Sequence, residues 1–412
     1  FWYKEYRDKH KGIFFMTLIS QIVVSAALCL LLIPLSGTFS KFLFASTDWS
    51  KVITLLILSS AIQVVNNLVS TLMRLQSKST LYTFTNILKL IIVLSLTLYF
   101  ILSAKMGIEG IYLAQVIGNL FYTLILSVYT IKNCSIYFNI RALRDMNIYG
   151  FPLFLGGIAA VMLNVIDRYS LNSMSLNILK SVALYTLAIK VSSVIKLVLV
   201  DSIKLAILPT FLKKMDSVDN RRFYSKILTY TSFVIMFAIV GLSLFSMEII
   251  KVISTSRDFW NAIVIVPILS LSVFFVNMKE VTVYGLHIAK KTRIIGIIIV
   301  AATVLSLVLN IIMIPRWDIT GAAIATLLSQ LFYWVACYIF AQKVFYVPYE
   351  LRKIFILFVV GALFSFSSLF LNELDLGLRL VTKTFLVLLF PFILYIFNFY
   401  DRVEIDAIKG FT

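Results

Sequence analysis

The sequence predicts an all-α polytopic membrane protein, on three observations. The 412 residues are 61% hydrophobic, with a mean hydropathy of +0.98. Apolar segments of spanning length recur along the whole chain. Basic residues alternate in density from one loop to the next. A soluble chain cannot hide this much apolar surface, and a helix needs about 20 apolar residues to cross the hydrocarbon.

Twelve segments qualify. The first, 12–34, follows the charged opening FWYKEYRDKHK. Segments 52–73, 81–104 and 107–131 are parted by short loops holding Arg74 with Lys78, and Lys105. Segment 150–172 follows Arg141 and Arg144. Segment 180–210 is longer than a bilayer requires, so a tilt, a kink or an extension near Pro209 is expected. Segments 225–250, 259–286, 294–314, 319–342, 353–371 and 381–399 complete the set.

Loop charge sets the orientation. With the N-terminus in the cytoplasm, 22 of the 37 Lys and Arg residues fall in inside segments, 9 outside, Arg379 and Lys383 among them, and six within spans. The bias holds along the chain and places both termini inside. The net charge of +18 is therefore read as orientation signal and contact with anionic membrane lipids, not as nucleic-acid binding. Cys29, Cys134 and Cys337 lie far apart, and His10 and His287 are the two histidines, so no disulfide framework, metal site or cofactor is expected. No connection exceeds about 20 residues, too short for an independent catalytic domain. No nucleotide-binding loop, nucleophile elbow or metalloprotease motif occurs. A transporter driven by a gradient is expected, not an enzyme.

Residues 95–122 match 306–333 at a constant offset. Gly110 meets Gly321, Ala114 meets Ala325, and Leu120-Phe121-Tyr122 meets Leu331-Phe332-Tyr333. Six spans separate the copies, so both run the same way through the membrane, as in transporters built from two parallel lobes. Gly110 and Gly321 are expected where helices approach closely. The expected division is a first lobe over 1–145 with four spans, a second over 146–343 with six, and 344–412 with two further spans and a tail. Equal lobes would need two more spans ahead of Phe1, so a native form of about fourteen spans is expected.

Tyr149–Pro209 carries the most charge inside apolar segments: Asp167, Arg168, Lys190, Lys196, Asp201 and Lys204. A charge in hydrocarbon costs roughly 2.5–3.5 kcal/mol on insertion scales, so these groups need partners, a wet cavity or a charged cargo. At about 100° per residue, Lys190, Asp201 and Lys204 share a face while Lys196 lies about 120° from Lys190. Asp201 and Lys204 are spaced to pair with each other. Lys190 lies farthest from either boundary and is the leading candidate for an anion-binding group. Asp167 and Arg168 are placed near the outer end of their span, as an interfacial pair or a cavity wall. Lys89 and Lys279 lie nearer inner ends, where snorkelling competes with cavity lining. The amides Gln63, Asn66, Asn67, Asn86, Gln115, Asn119, Asn164 and Asn277 read as interhelical glue.

Several stretches resemble a known family. Tyr149-Gly150-Phe151-Pro152-Leu153 with Leu163-Asn164-Val165-Ile166-Asp167-Arg168-Tyr169 resembles the opening of the second lobe of bacterial polysaccharide flippases. Ala183-Leu184-Tyr185-Thr186-Leu187-Ala188-Ile189-Lys190 is similar to that family's next helix. Leu309-Asn310, Ile314-Pro315 and Ile319-Thr320-Gly321-Ala322-Ala323-Ile324-Ala325-Thr326 match as well. This is the polysaccharide-transport branch of the multidrug/oligosaccharidyl-lipid/polysaccharide exporter superfamily, which includes O-antigen flippases. The resemblance implies a MATE-like two-lobe bundle in the bacterial inner membrane. It implies transport of undecaprenyl-diphosphate-linked oligosaccharide for lipopolysaccharide, capsule or exopolysaccharide by alternating access, with H+ or Na+ coupling and contact with other polysaccharide-assembly proteins in view. The candidate cavity residues are Lys190, Arg168, Lys204, Lys196, Lys89 and Lys279, with Asp167 and Asp201 as charge partners. A cation-coupled drug exporter of the same superfamily and a membrane-embedded polymerase or glycosyltransferase are the alternatives. Cationic drugs call for carboxylates that the middles of the first-lobe spans lack, and the enzymes call for a large outer loop.

Overall fold

The computed structural model describes residues 9–44, 46–175, 177–206, 220–254, 256–372, 375–397 and 399–401. Among them every regular element is helical, and eleven helices are long and apolar enough to cross a membrane. One of these, Thr292–Val344, has 53 residues and is broken at Asp318 (φ 45°, ψ −123°). A straight helix of that length would be about 80 Å long, more than twice the hydrocarbon thickness, so the break makes it two crossings. It falls where the sequence parts 294–314 from 319–342.

Two compact units divide the chain, Phe1–Met146 and Asn147–Thr412. The first contains α1 (His10–Leu32), α2 (Ser36–Phe44), α3 (Ser50–Leu75), α4 (Ser79–Leu98, continuing into a π turn, Tyr99–Ser103) and α5 (Gly107–Lys132). Its core joins Phe14 and Leu18 of α1, Val69, Leu72 and Met73 of α3, and Tyr122 and Leu126 of α5. Amides tie α3 to α5. Asn66 Nδ2 donates to the Asn119 carbonyl at 3.0 Å, Asn119 Nδ2 to Ser59 Oγ at 3.0 Å, and Thr123 Oγ1 to Asn66 Oδ1 at 3.0 Å. With no water to compete, such bonds hold apolar helices in register.

The next helix, α6 (Ile140–Leu163), leads into the second unit. There α7 (Ile166–Met174), α8 (Ile178–Ile195, with a π turn at Lys196–Val200), α9 (Asn220–Leu244) and α10 (Ser246–Ile253) are followed by a 3-10 turn (Arg257–Val264). Then come α11 (Val266–Thr282), α12 (Tyr284–Ile288), α13 (Thr292–Val344), α14 (Leu351–Leu371) and α15 (Leu376–Ile396). The centre of this unit is α11, most of whose residues are buried, whereas α4 of the first unit buries Thr85 alone among its described residues. Helix α11 packs against α8, α9 and α13. The last two helices join the same body, α14 lying on α9 and α15 on α14. Outward faces keep large apolar side chains such as Phe84, Leu124, Phe355 and Phe392, as lipid contact requires.

Some expected boundaries are corrected. Segment 150–172 is not one span: α6 starts ten residues earlier, because Asn139 Oδ1 accepts the backbone N–H groups of Arg141 and Ala142 and caps the helix ahead of its apolar part. It stops at Leu163, where Asn164 Nδ2 takes the Ala160 carbonyl at 2.7 Å. Asp167 and Arg168 therefore sit on the separate short helix α7, past the end of a span. Segment 225–250 divides at Phe245 into α9 and α10, and 259–286 opens as a 3-10 turn. Segment 180–210 passes through a π turn at Lys196–Val200; residues 207–210, with Pro209, lie outside the described residues.

Both repeat glycines mark close approaches. A Cβ on Gly110 would stand 2.8 Å from Phe100 Cβ, and one on Gly321 would stand 2.3 Å from the Met313 carbonyl oxygen. The latter is backbone that cannot swing away, because α13 folds back on itself there. Gly321→Ala is expected to destabilise by about 1–3 kcal/mol, the usual cost of overpacking, while Gly150→Ala, inside α6 with open space around it, should stabilise by about 0.5–1 kcal/mol. Thermal unfolding in detergent compares the two.

One ionic cluster joins α9, the start of α14 and the end of the described chain. Lys226 pairs with Glu350 at 2.8 Å and also with Asp401, and Lys353 pairs with Asp401 at 2.5 Å. Hydrogen bonds from Lys226 and Lys353 hold the Asp401 carboxyl below its usual range. A depressed carboxyl stabilises the fold at neutral pH, and that contribution is lost as pH falls below about 4 and through the native value. Asp401 is partly exposed, so the effect is modest. Unfolding temperature should fall less steeply between pH 6 and pH 3 in Asp401→Asn than in the wild type.

Candidate functional site

A cavity of about 430 Å³ lies within the second unit, walled by α7, α8, α11 and α13. Its charged lining is Asp167, Arg168, Lys190, Lys196 and Asp201. Five of the eight candidates from the sequence thus meet in one space. The 120° between Lys190 and Lys196 does not separate them, because the cavity wraps a broad arc of α8, from Ile189 and Lys196 round to Lys190 and Asp201. Asp201 lies just past the π turn that begins at Lys196. Such turns interrupt the regular ladder and recur at functional sites.

Asp167 is the fixed point. It is 2% exposed, and its Oδ2 accepts the Tyr185 hydroxyl at 2.5 Å and the Thr326 hydroxyl at 3.2 Å. Tyr185 and Thr326 also bond to each other at 3.0 Å, so α7, α8 and α13 meet at this carboxylate. Asp167 Oδ1 and Arg168 Nε are buried without a hydrogen-bond partner among the described residues. A buried polar atom without a partner costs about 1–3 kcal/mol. Lys190 is exposed in the cavity wall, and Arg168 and Lys196 are half-buried. Ser272 of α11 and Gln330 of α13 add neutral polar groups.

Three candidates are not in this cavity. Lys204 pairs with Glu280 of α11 at 2.9 Å, which replaces the expected pair with Asp201. Lys279 pairs with the same carboxylate and lies 5.1 Å from the centre of the Tyr333 ring, so Glu280 holds two lysines. Lys89 belongs to the first unit and lies 5.2 Å from the centre of the Tyr122 ring. Each of these cations already has a partner that explains its place in an apolar helix.

Sequence reasoning passed over Tyr185 and Thr326. They stand 18 and 159 positions from Asp167, and a hydroxyl in an apolar helix looks like any other interhelical contact. The available signal was their presence in the stretches that carry the family resemblance. It also placed Arg379 and Lys383 among outside loop charges. Both are buried: Arg379 Nε donates to Glu248 at 2.7 Å and Lys383 Nζ at 2.9 Å, with Lys383 fully enclosed.

A family model described as polysaccharide biosynthesis protein matches residues 6–265. The chain belongs to this family. The match runs through the first unit and includes α7, α8 and the cavity residues they carry. Solved structures extend the likeness in fold. A mutant of the Vibrio cholerae MATE transporter VcmN aligns with a TM-score of 0.72 at 15% identity, over 82% of this chain and 80% of that one. A multidrug resistance MATE family transporter of the MOP superfamily, in an outward-facing conformation, gives 0.70 at 12% identity, over 85% and 80%. The lipid II flippase MurJ gives 0.59 at 16% identity, over 95% and 86%. None of the curated proteins compared with the sequence matches it. The polysaccharide biosynthesis protein family member described here thus has the all-helical, multi-span membrane fold of MATE transporters and MurJ.

Proposed function

We propose that this protein is a flippase that carries a lipid-linked oligosaccharide across the bacterial inner membrane, both termini facing the cytoplasm, by alternating access. The observation that carries the reading is the grouping of Arg168, Lys190 and Lys196 around one cavity in the membrane-spanning second unit. Their excess over Asp167 and Asp201 leaves it net cationic. A diphosphate entering a low-dielectric space needs cations and hydrogen-bond donors, and guanidinium and ammonium groups supply both. Membership of a polysaccharide biosynthesis family agrees with a glycan as the rest of the cargo, and undecaprenyl diphosphate is the carrier that the family resemblance implies. The catalysis of a covalent step has no part in this reading.

The two carboxylates in the same cavity favour a second reading, a cation-coupled drug exporter. One experiment separates them. The full-length protein is expressed in a bacterial strain lacking its own oligosaccharide flippase, and both surface glycan and sensitivity to cationic drugs are read. The flippase reading expects glycan to return with drug sensitivity unchanged. Drug resistance without glycan would favour the exporter.

A further inference from the structure

A second cavity, of about 470 Å³, adjoins the first. Asn172 of α7, Thr186 and Lys190 of α8, and Phe259 of the 3-10 turn line it, with Val182 and Leu187 between them. Thr186 and Lys190 line both cavities. The two are therefore stacked along α8 with Lys190 at their seam. From Lys190, Val182 lies about 12 Å along the helix axis in one direction and Asp201 about 16 Å in the other.

Their linings differ in kind. Among the described residues, the first holds three cations and two carboxylates, whereas Lys190 is the one charged residue lining the second. The rest of the second cavity offers an aromatic ring, an amide and a hydroxyl on an apolar ground. That set suits a neutral pyranose. The ring covers the apolar C–H face of a sugar, and the amide and hydroxyl bond to groups around its edge. An isoprenoid chain would leave the amide, hydroxyl and ammonium unsatisfied. Asn172 is exposed and Phe259 half-buried, so both are open to a ligand.

We propose that this second cavity is a glycan subsite. It takes the sugar attached to the diphosphate while Lys190 holds the phosphate at the junction. The inference rests on the flippase reading and gives it an order along α8, with phosphates on the charged side and sugar on the neutral side.

The test is equilibrium binding to the full chain in nanodiscs with two probes, undecaprenyl diphosphate and undecaprenyl-diphosphate-linked N-acetylglucosamine. The wild type should bind the glycosylated probe about tenfold more tightly than the bare one, a difference of about 1.4 kcal/mol. Phe259→Ala and Asn172→Ala should remove that gain and leave the bare probe unchanged, while Phe259→Trp keeps it. Lys190→Ala should weaken both probes. Equal binding of the two probes by the wild type would overturn the subsite and leave the flippase reading standing. So would equal weakening of both probes by Phe259→Ala, which reports structural damage. Failure of the wild type to bind either probe would overturn the flippase reading and the subsite with it.

Discussion

Lys190→Ala is expected to abolish most glycan export at normal membrane abundance, and Lys190→Arg to retain it. Lys190 lines both cavities and has no ion-pair partner among the described residues. On the proposed flippase reading its charge is available to cargo. A hydrogen bond from a charged group is worth about 1.5–3 kcal/mol, so its loss should reduce transport by roughly ten- to a hundredfold. Arginine keeps the charge and adds donors, which is why rescue by Lys190→Arg separates a role in transport from one in packing. Surface glycan on a gel, with protein level by blot, reads the result. A silent Lys190→Ala would shift the phosphate site to Arg168 and Lys196.

Glu248→Ala should produce the largest loss of stability. Glu248 accepts from Arg379 at 2.7 Å and from Lys383 at 2.9 and 3.0 Å, and Lys383 also donates to Asn372 Oδ1 at 3.0 Å. Removing this carboxylate takes the anion away from the fully enclosed Lys383 and from the buried Arg379 between α10 and α15. Breaking a buried pair in this way costs about 3–5 kcal/mol. Lys383→Met should cost less, because Glu248 keeps Arg379. Yield and thermal unfolding of the purified protein rank the two variants.

The helical membrane fold was legible because each crossing needs its own apolar run. Helix ends were harder. The start of α6 depends on the Asn139 cap, and its end on Asn164, neither of which a hydropathy pattern registers. Within the site, Asp167, Arg168, Lys190, Lys196 and Asp201 stood out because charge in an apolar segment is costly. The same signal also raised Lys204 and Lys279, since cost alone does not say whether a partner is present. Glu280 is that partner for both: it is the chain neighbour of Lys279, whereas only the folded structure brings Lys204 to it. Arg379 and Lys383 were misread for the opposite reason. They sit near a span end, where charge is ordinary, and Glu248 reaches them from a helix more than a hundred residues earlier.

The most direct test of the cationic cavity is a flipping assay with the purified chain in liposomes. Fluorescent undecaprenyl-diphosphate-linked oligosaccharide is placed in one leaflet, and its arrival in the other is followed by accessibility to a lectin. The wild type should move cargo, and a variant combining Arg168→Ala, Lys190→Ala and Lys196→Ala should move none while remaining folded by circular dichroism. Wild-type flipping by that folded variant would contradict the account.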